Sequence, residues 1–194
     1  MNKTSKRSKL IAISIATAAT ATLLTGCTIN INQPNASSMN GMHQGHGTYS
    51  GTDVMFAQMM IPHHQQAVDM SVLAETNTTT SEILALAKQI KEAQAPEITQ
   101  MKKWLTDSDA SMDMGHDMGM NGMLSGSQMD ALKAAKGADF DKLYLEGMIE
   151  HHKGAIQMAQ MIANSDNDEA RALAEAITTS QTEEIEYMQG LLGK

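Results

Sequence analysis

Two adjacent histidines, followed three positions later by an alanine, occur twice in this chain, and the repetition constrains the fold more than composition does. Residues 59 to 71 read MMIPHHQQAVDMS and residues 147 to 159 read GMIEHHKGAIQMA, so Met60, Ile61, His63, His64 and Ala67 return 88 positions later as Met148, Ile149, His151, His152 and Ala155. Asp53, Phe56 and Met70 have counterparts at the same offset in Asp141, Tyr144 and Met158. A second matched block follows each copy: Ala87, Ile90, Gln94, Glu97, Ile98, Met101 and Leu105 recur, now at an offset of 87, as Ala174, Ile177, Gln181, Glu184, Ile185, Met188 and Leu192. A one-residue slip between two self-similar blocks marks a difference in loop length, so the chain reads as a duplicated two-helix unit.

The apolar residues of these blocks keep the i, i+3, i+4, i+7 rhythm of half-buried helices. The first helix is predicted from Asp53, as its N-cap, to about Glu75. Pro62 lies inside it, removes a backbone hydrogen bond to Gln58, and predicts a kink just before the His pair. Thr79 and Glu82 are spaced as a capping box for a second helix over about 80 to 107. A short helix is expected over Ser127 to Lys136, a third long one from Asp139 to Asn164, and a fourth from Asp166 to Leu192, with Ser165 and Asp168 spaced as its cap. Short loops within each half and a longer crossing between them make an all-α fold, a four-helix bundle over residues 52–194 with halves related by a pseudo-two-fold axis. The chain of 194 residues is enough for one such domain.

The N-terminus belongs to another process. Lys3, Lys6, Arg7 and Lys9 precede an apolar run from Leu10 to Leu24, a pattern of signal peptides and too short to span a bilayer. The run ends Leu24-Thr25-Gly26-Cys27, which resembles the bacterial lipoprotein box, so residues 1–26 are expected to be removed and Cys27, the single cysteine, to carry the lipid. That places the protein on the extracytoplasmic face of the cell membrane, held by its N-terminal lipid. Residues 27–51, rich in Asn, Ser and Gly, read as a flexible tether. Without the four N-terminal cations the chain keeps ten Lys and Arg against 22 Asp and Glu, a net charge of −12 that excludes nucleic acid as a partner.

The chemistry lies in the methionines and histidines. Eighteen Met stand against two Phe, three Tyr and one Trp. On a helix Met60 lies under both His63 and His64, and His63 under Met70; Met148, His151, His152 and Met158 repeat the stripe. Adjacent residues diverge by about 100°, so the two histidines of a pair cannot both face the bundle axis. Imidazole suits several transition metals, but thioether is soft and selects copper(I), or silver as its analogue. Met101 and Met188 are candidates to complete the ligand set. Glu97 and Glu184, with Gln94 and Gln181, either orient the histidines from behind or lie on the solvent side beside lysines. Further candidate ligands crowd an insert at 108–126, namely Met112, Met114, His116, Met118, Met120 and Met123, and a looser set in the tether includes His43 and His46 beside Met39 and Met42. The insert has no helical period, so removal of 112 to 123 is expected to leave the core intact.

The doubled M-I-x-H-H-x-x-A-x-x-M pattern, each followed by Q-x-x-E-I-x-x-M, resembles the DUF305 family over about residues 53 to 192. The resemblance implies a ferritin-like four-helix fold and copper binding outside the cytoplasm, carried by Met60, His63, His64, Met70, Met148, His151, His152 and Met158. Storage of copper(I), or its transfer to a copper-transport partner protein, is the function expected. A di-iron ferritin-like oxidase is the enzyme alternative, but it requires Glu-x-x-His, and here Met60 and Met148 take the place of the glutamate. Non-covalent haem is a second alternative, and a metal-free surface or interaction protein a third. No nucleophile triad, phosphate loop or cysteine nucleophile is present, so catalysis is not expected.

Overall fold

Three of the five helices begin at a side-chain cap, and the residues at several helix starts differ from the ones the sequence predicts. The structure is a computed structural model describing residues 49–112 and 120–193. It contains α1 (Gly51–Asn77), α2 (Ser81–Asp107), α3 (Gly126–Ala134), α4 (Gly137–Ala159) and α5 (Asp168–Leu192), with no strand among the described residues. The signal segment, Cys27, His43, His46, Met114, His116 and Met118 lie outside the described residues.

Helix α1 is capped by Ser50, whose Oγ accepts from the Asp53 amide while Asp53 Oδ2 accepts from the Ser50 amide. This reciprocal pair satisfies two backbone donors, and it moves the start of the helix ahead of the expected Asp53. Tyr49, placed in the tether by its sequence context, is buried and stacks on Trp104 with ring centroids 4.9 Å apart. Helix α1 continues through Pro62, which sits on the exposed side. Thr80 rather than Thr79 precedes α2, and its hydroxyl donates to Asp141 of α4 instead of capping its own helix. Helix α3 opens with a capping box of Ser125 and Gln128. Helix α4 ends at Ala159, five residues earlier than expected, because the Met161 and Ile162 amides turn back to the carbonyls three residues before them. Asn167 caps α5 through the Glu169 and Ala170 amides; Ser165 instead accepts from the Asn167 amide.

The four long helices bury their apolar stripes in two separate clusters. One holds Phe56, Ala57, Met60 and Ile61 of α1, Ile98, Met101, Trp104 and Leu105 of α2, Ala155, Met158 and Ala159 of α4, and Ala170, Leu173, Ala174 and Ile177 of α5. The other holds Ala67, Met70 and Ala74, then Ile83, Leu86, Ala87 and Ile90, then Phe140, Tyr144, Leu145, Met148 and Ile149, and finally Met188. The first half of α1 and of α5 and the second half of α2 and of α4 thus share one cluster, which fixes α1 antiparallel to α2 and α4. Under the repeat offset each cluster maps onto the other: Met60, Met101 and Met158 correspond to Met148, Met188 and Met70. The pseudo-two-fold axis therefore passes between the clusters, and on every long helix the residues between them are polar: His63 and His64, Gln94 and Glu97, His151 and His152, Gln181 and Glu184. Among the described residues no helix is long and apolar enough to cross a membrane.

The end of the insert belongs to the core. Leu124 is buried in the second cluster, with its methyl carbons against Gly147, whereas Met112 is 53% exposed. The segment 112 to 123, expected to be removable with the core intact, thus ends directly before a residue of the core, Leu124. Substituting Leu124→Ala is predicted to cost about 2–4 kcal/mol in urea unfolding, through lost transfer energy and the cavity left behind, and Met112→Ala less than about 0.5 kcal/mol. Equal effects of the two would contradict this division of the insert.

Candidate metal centre

The four histidines of the polar layer between the clusters are buried completely: His63, His64, His151 and His152 are each 0% exposed. Helix geometry sends the two members of each pair in different directions. His63 and His151 meet across the pseudo-two-fold axis with ring centroids 3.8 Å apart and planes inclined by 39°. His64 turns to α2 and His152 to α5, where Nε2 of each lies 2.7 Å from Oε2 of Glu97 and of Glu184 respectively. Of the two locations considered for these glutamates, the helices place them behind the histidines; Glu184 also accepts from Gln89 of α2 at 3.1 Å, which has no counterpart at Glu97. The glutamate side chains are 18% and 7% exposed.

These contacts determine the tautomers. An ionised carboxylate can only accept, so Nε2–H of His64 and His152 donates and Nδ1 of each keeps its lone pair. His63 Nε2–H donates to the backbone carbonyl of Asn121 at 3.3 Å, again leaving Nδ1. No hydrogen bond of good geometry reaches either nitrogen of His151, although the His63 backbone carbonyl lies close enough to oppose slightly the lowering of its pKa, and none reaches Nδ1 of His63, His64 or His152. A buried polar atom left unpaired costs about 1–3 kcal/mol, and five such nitrogens together are comparable with the whole net stability of a domain, about 5–15 kcal/mol. One of the two His151 nitrogens carries its proton, which leaves four lone pairs that a metal ion would satisfy as a proton donor would, and a carboxylate on the opposite nitrogen is the arrangement that orients an imidazole ligand and raises its basicity.

The thioethers flank this layer. Met60 and Met148 precede His63 and His151 by one helical turn, Met70 and Met158 follow them by two, and all four are buried, as are Met101 and Met188. Each cluster contains one methionine trio, Met60, Met101 and Met158 in one and Met148, Met188 and Met70 in the other. Among the described residues no three His, Cys, Asp or Glu converge to hold a metal, so a cage of carboxylates and imidazoles is not assembled. The donors available in and beside the layer are imidazole and thioether, a pairing that fits a soft ion. Gln94 and Gln181 are buried in the same layer, but Gln94 makes no hydrogen bond and Gln181 Oε1 has no partner, so the orienting role expected of Gln94 is not formed. Met120 and Met123 are half-buried.

Sequence reasoning missed three residues that shape the centre: Asn121, whose carbonyl meets His63, and Gln66 and Gly154, which hold the segment carrying it. A signal was available. Gln66 and Gly154 occupy the same position of the repeat and differ there in size and polarity.

The family described as Domain of unknown function (DUF305) matches residues 53–192. No curated protein matches the chain. Among solved structures the chain is similar to a DUF305 protein of Streptomyces coelicolor, with 33% identity, 73% of this chain and 91% of that chain covered, and a TM-score of 0.69. It is similar also to a DUF305 fragment from Deinococcus radiodurans, at 27% identity with 75% and 97% covered and a TM-score of 0.70. A third is CopM in the Cu(I)-bound form, at 32% identity with 73% and 96% covered and a TM-score of 0.62. CopM has also been solved in Cu(II)-bound, silver-bound and apo forms.

Burial of the stacked pair has a consequence for acid stability. His63 is pushed down to about 3, first by desolvation and then by the neighbouring His64, against the smaller opposing effect of the Asn121 carbonyl. His151 is held well below 6.5 by burial and then by His63 and His152. Both are neutral in the folded state down to a pH at which the unfolded chain has bound the protons. Their contribution is therefore complete above about pH 6.5 and is lost as pH falls from there toward the folded values, at up to about 1.4 kcal/mol per pH unit for each ring. Urea unfolding of the metal-free protein between pH 7 and pH 5 is predicted to show this decline, and the His63→Gln, His151→Gln double variant a flatter profile. Level stability over that interval in the unsubstituted chain would contradict the burial of neutral rings.

Proposed function

The chain belongs to the DUF305 family, and from that premise we propose that it is a copper-binding protein whose ion is held in the histidine layer between the two cores. The observation that carries this reading is the set of five buried imidazole nitrogens without a hydrogen-bond partner, placed between two trios of buried methionines. CopM, similar over most of this chain, binds Cu(I), Cu(II) and silver, which supports the metal assignment. His63, His151 and the Nδ1 atoms of His64 and His152 are the nitrogen donors of the proposal. Met60, Met148, Met70 and Met158 are its sulfur donors, with Met101 and Met188 beside them. Glu97 and Glu184 hold the outer histidines in the ligating tautomer.

The role is binding rather than catalysis: the protein sequesters copper(I) or hands it to a copper-transport partner. Thioether and imidazole carry no thiol to oxidise, which suits a site outside the cytoplasm. A lipid on Cys27 would hold the domain at the extracytoplasmic membrane face, with residues 28 to 48 as the tether. The methionines and histidine of the insert, and His43 and His46, would supply additional, weaker positions. The di-iron alternative is disfavoured by the donor set, which places sulfur where an iron cage needs carboxylate.

Competition titration tests the assignment. The purified protein is predicted to hold copper(I) and silver(I) against a copper(I) chelator and to retain iron(II) and zinc far less. The His63→Ala, His151→Ala double variant should lose the tightest ion and the metal-dependent rise in melting temperature, since a ligand confined to the folded state stabilises it by RT ln(1 + [L]/Kd). Tighter retention of iron, or a double variant with undiminished copper affinity, would overturn the proposal.

A further inference from the structure

The duplicated halves depart from one another where the histidine repeat faces the insert, and most sharply at one position. Where α1 carries Gln66, α4 carries Gly154, 88 positions on. Both residues serve the same piece of chain. Gln66 grips Leu124 as a backbone strand would, its Oε1 accepting from the Leu124 amide at 2.7 Å and its Nε2 donating to the Leu124 carbonyl at 2.9 Å. Gly154 leaves room for the preceding residues: a Cβ there would lie 2.0 Å from the Asn121 carbonyl oxygen and 3.0 Å from the Gly122 Cα. Gly122 approaches from the other side with φ +87°, and a Cβ on it would meet the Glu150 carbonyl at 2.5 Å. Asn121 is tied to α4 again by its side-chain amide, which donates to Gln157. The segment Asn121–Leu124 is thus fastened to both α1 and α4, and its Asn121 carbonyl faces His63 Nε2.

We propose that Asn121–Leu124 is a positioning strap that fixes His63 in its Nε2–H form and covers that edge of the stacked imidazoles, making the two halves unequal toward metal. His63 then presents Nδ1 alone, whereas His151, which has only the His63 carbonyl near it and no bond of good geometry on either nitrogen, presents either one. The first ion accordingly enters from the His151 side and is completed by His63 Nδ1. This rests on the copper reading of the same centre. A strap that only packed would have no effect on the tautomer, because Leu124 alone supplies the apolar contact; the Asn121 carbonyl is the part directed at the ring. The carbonyl cannot be removed by substitution, but it can be displaced from two independent sides, by adding a Cβ at Gly154 or by removing the Gln66 grip.

The experiment is long-range proton–nitrogen correlation spectroscopy of the histidine rings in the metal-free full chain, followed by silver(I) titration. In the unsubstituted protein His63 is expected as the pure Nε2–H tautomer, with silver shifting Nδ1. In Gly154→Ala and in Gln66→Ala the His63 signals are expected to move to a tautomer mixture, and the first silver equivalent to bind about tenfold more weakly, the scale of losing a partner behind a metal-bound histidine. Gly190→Ala, where an added Cβ meets nothing within 4 Å, should leave both readings unchanged. If one variant fails to fold by circular dichroism, the other carries the comparison. Persistence of the Nε2–H form in a folded variant overturns the strap, and so does its loss with silver affinity intact. Failure of the unsubstituted chain to bind silver at all would instead defeat the copper reading, while the tautomer comparison still judges the strap's hold on His63.

Discussion

A layer of four imidazoles across the middle of an apolar bundle must be satisfied from within, because water does not reach it. Every other feature of the centre follows from that requirement. Two rings are satisfied on one side by glutamates from the partnering helices and one by a backbone carbonyl, while the fourth, His151, has no hydrogen bond of good geometry. Desolvation also keeps the central rings neutral, which is the state in which imidazole offers a lone pair. The same burial that makes the layer costly without a ligand prepares it for a metal.

The duplication explains why the layer lies where it does. Two copies of a helix pair, related by a pseudo-two-fold axis, bring equal positions of the repeat to the axis; His63 and His151 meet there because they are the same residue of the unit. The apolar residues on each side then fall into two clusters that exchange under the symmetry, each with its methionine trio. Symmetry alone would give two equal half-sites. The crossing between the halves breaks that equality, since it can run over only one side of the bundle, and its contact with His63 has no counterpart at His151.

Much of this was legible in the chain. The offset of the repeat, the helical rhythm and the 100° step between adjacent residues were enough to predict a duplicated bundle whose histidine pairs diverge, because these depend only on local geometry and on which faces must be buried. The helix ends were read less well. Ser50, Thr80 and Asn167 precede their helices in place of Asp53, Thr79 and Ser165, since several residues at each boundary had a cap-forming side chain and tertiary contacts, such as that of Thr80 with Asp141, chose among them. The strap was not legible because its partners are a carbonyl and the absence of a side chain. Neither has a sequence pattern, apart from the mismatch of Gln66 with Gly154.

The central claim is that one ion sits between the cores and takes both nitrogen and sulfur from the repeated stripes. X-ray absorption at the copper edge, on protein loaded with a single equivalent of copper(I), addresses it without relying on stability or affinity. The account predicts a first shell of mixed nitrogen and sulfur scatterers, with the outer-shell signature of imidazole rings, unchanged when Met112, Met120 and Met123 are replaced by Leu. A shell of sulfur alone would contradict the account, and one that changes with those three substitutions would place the ion in the insert.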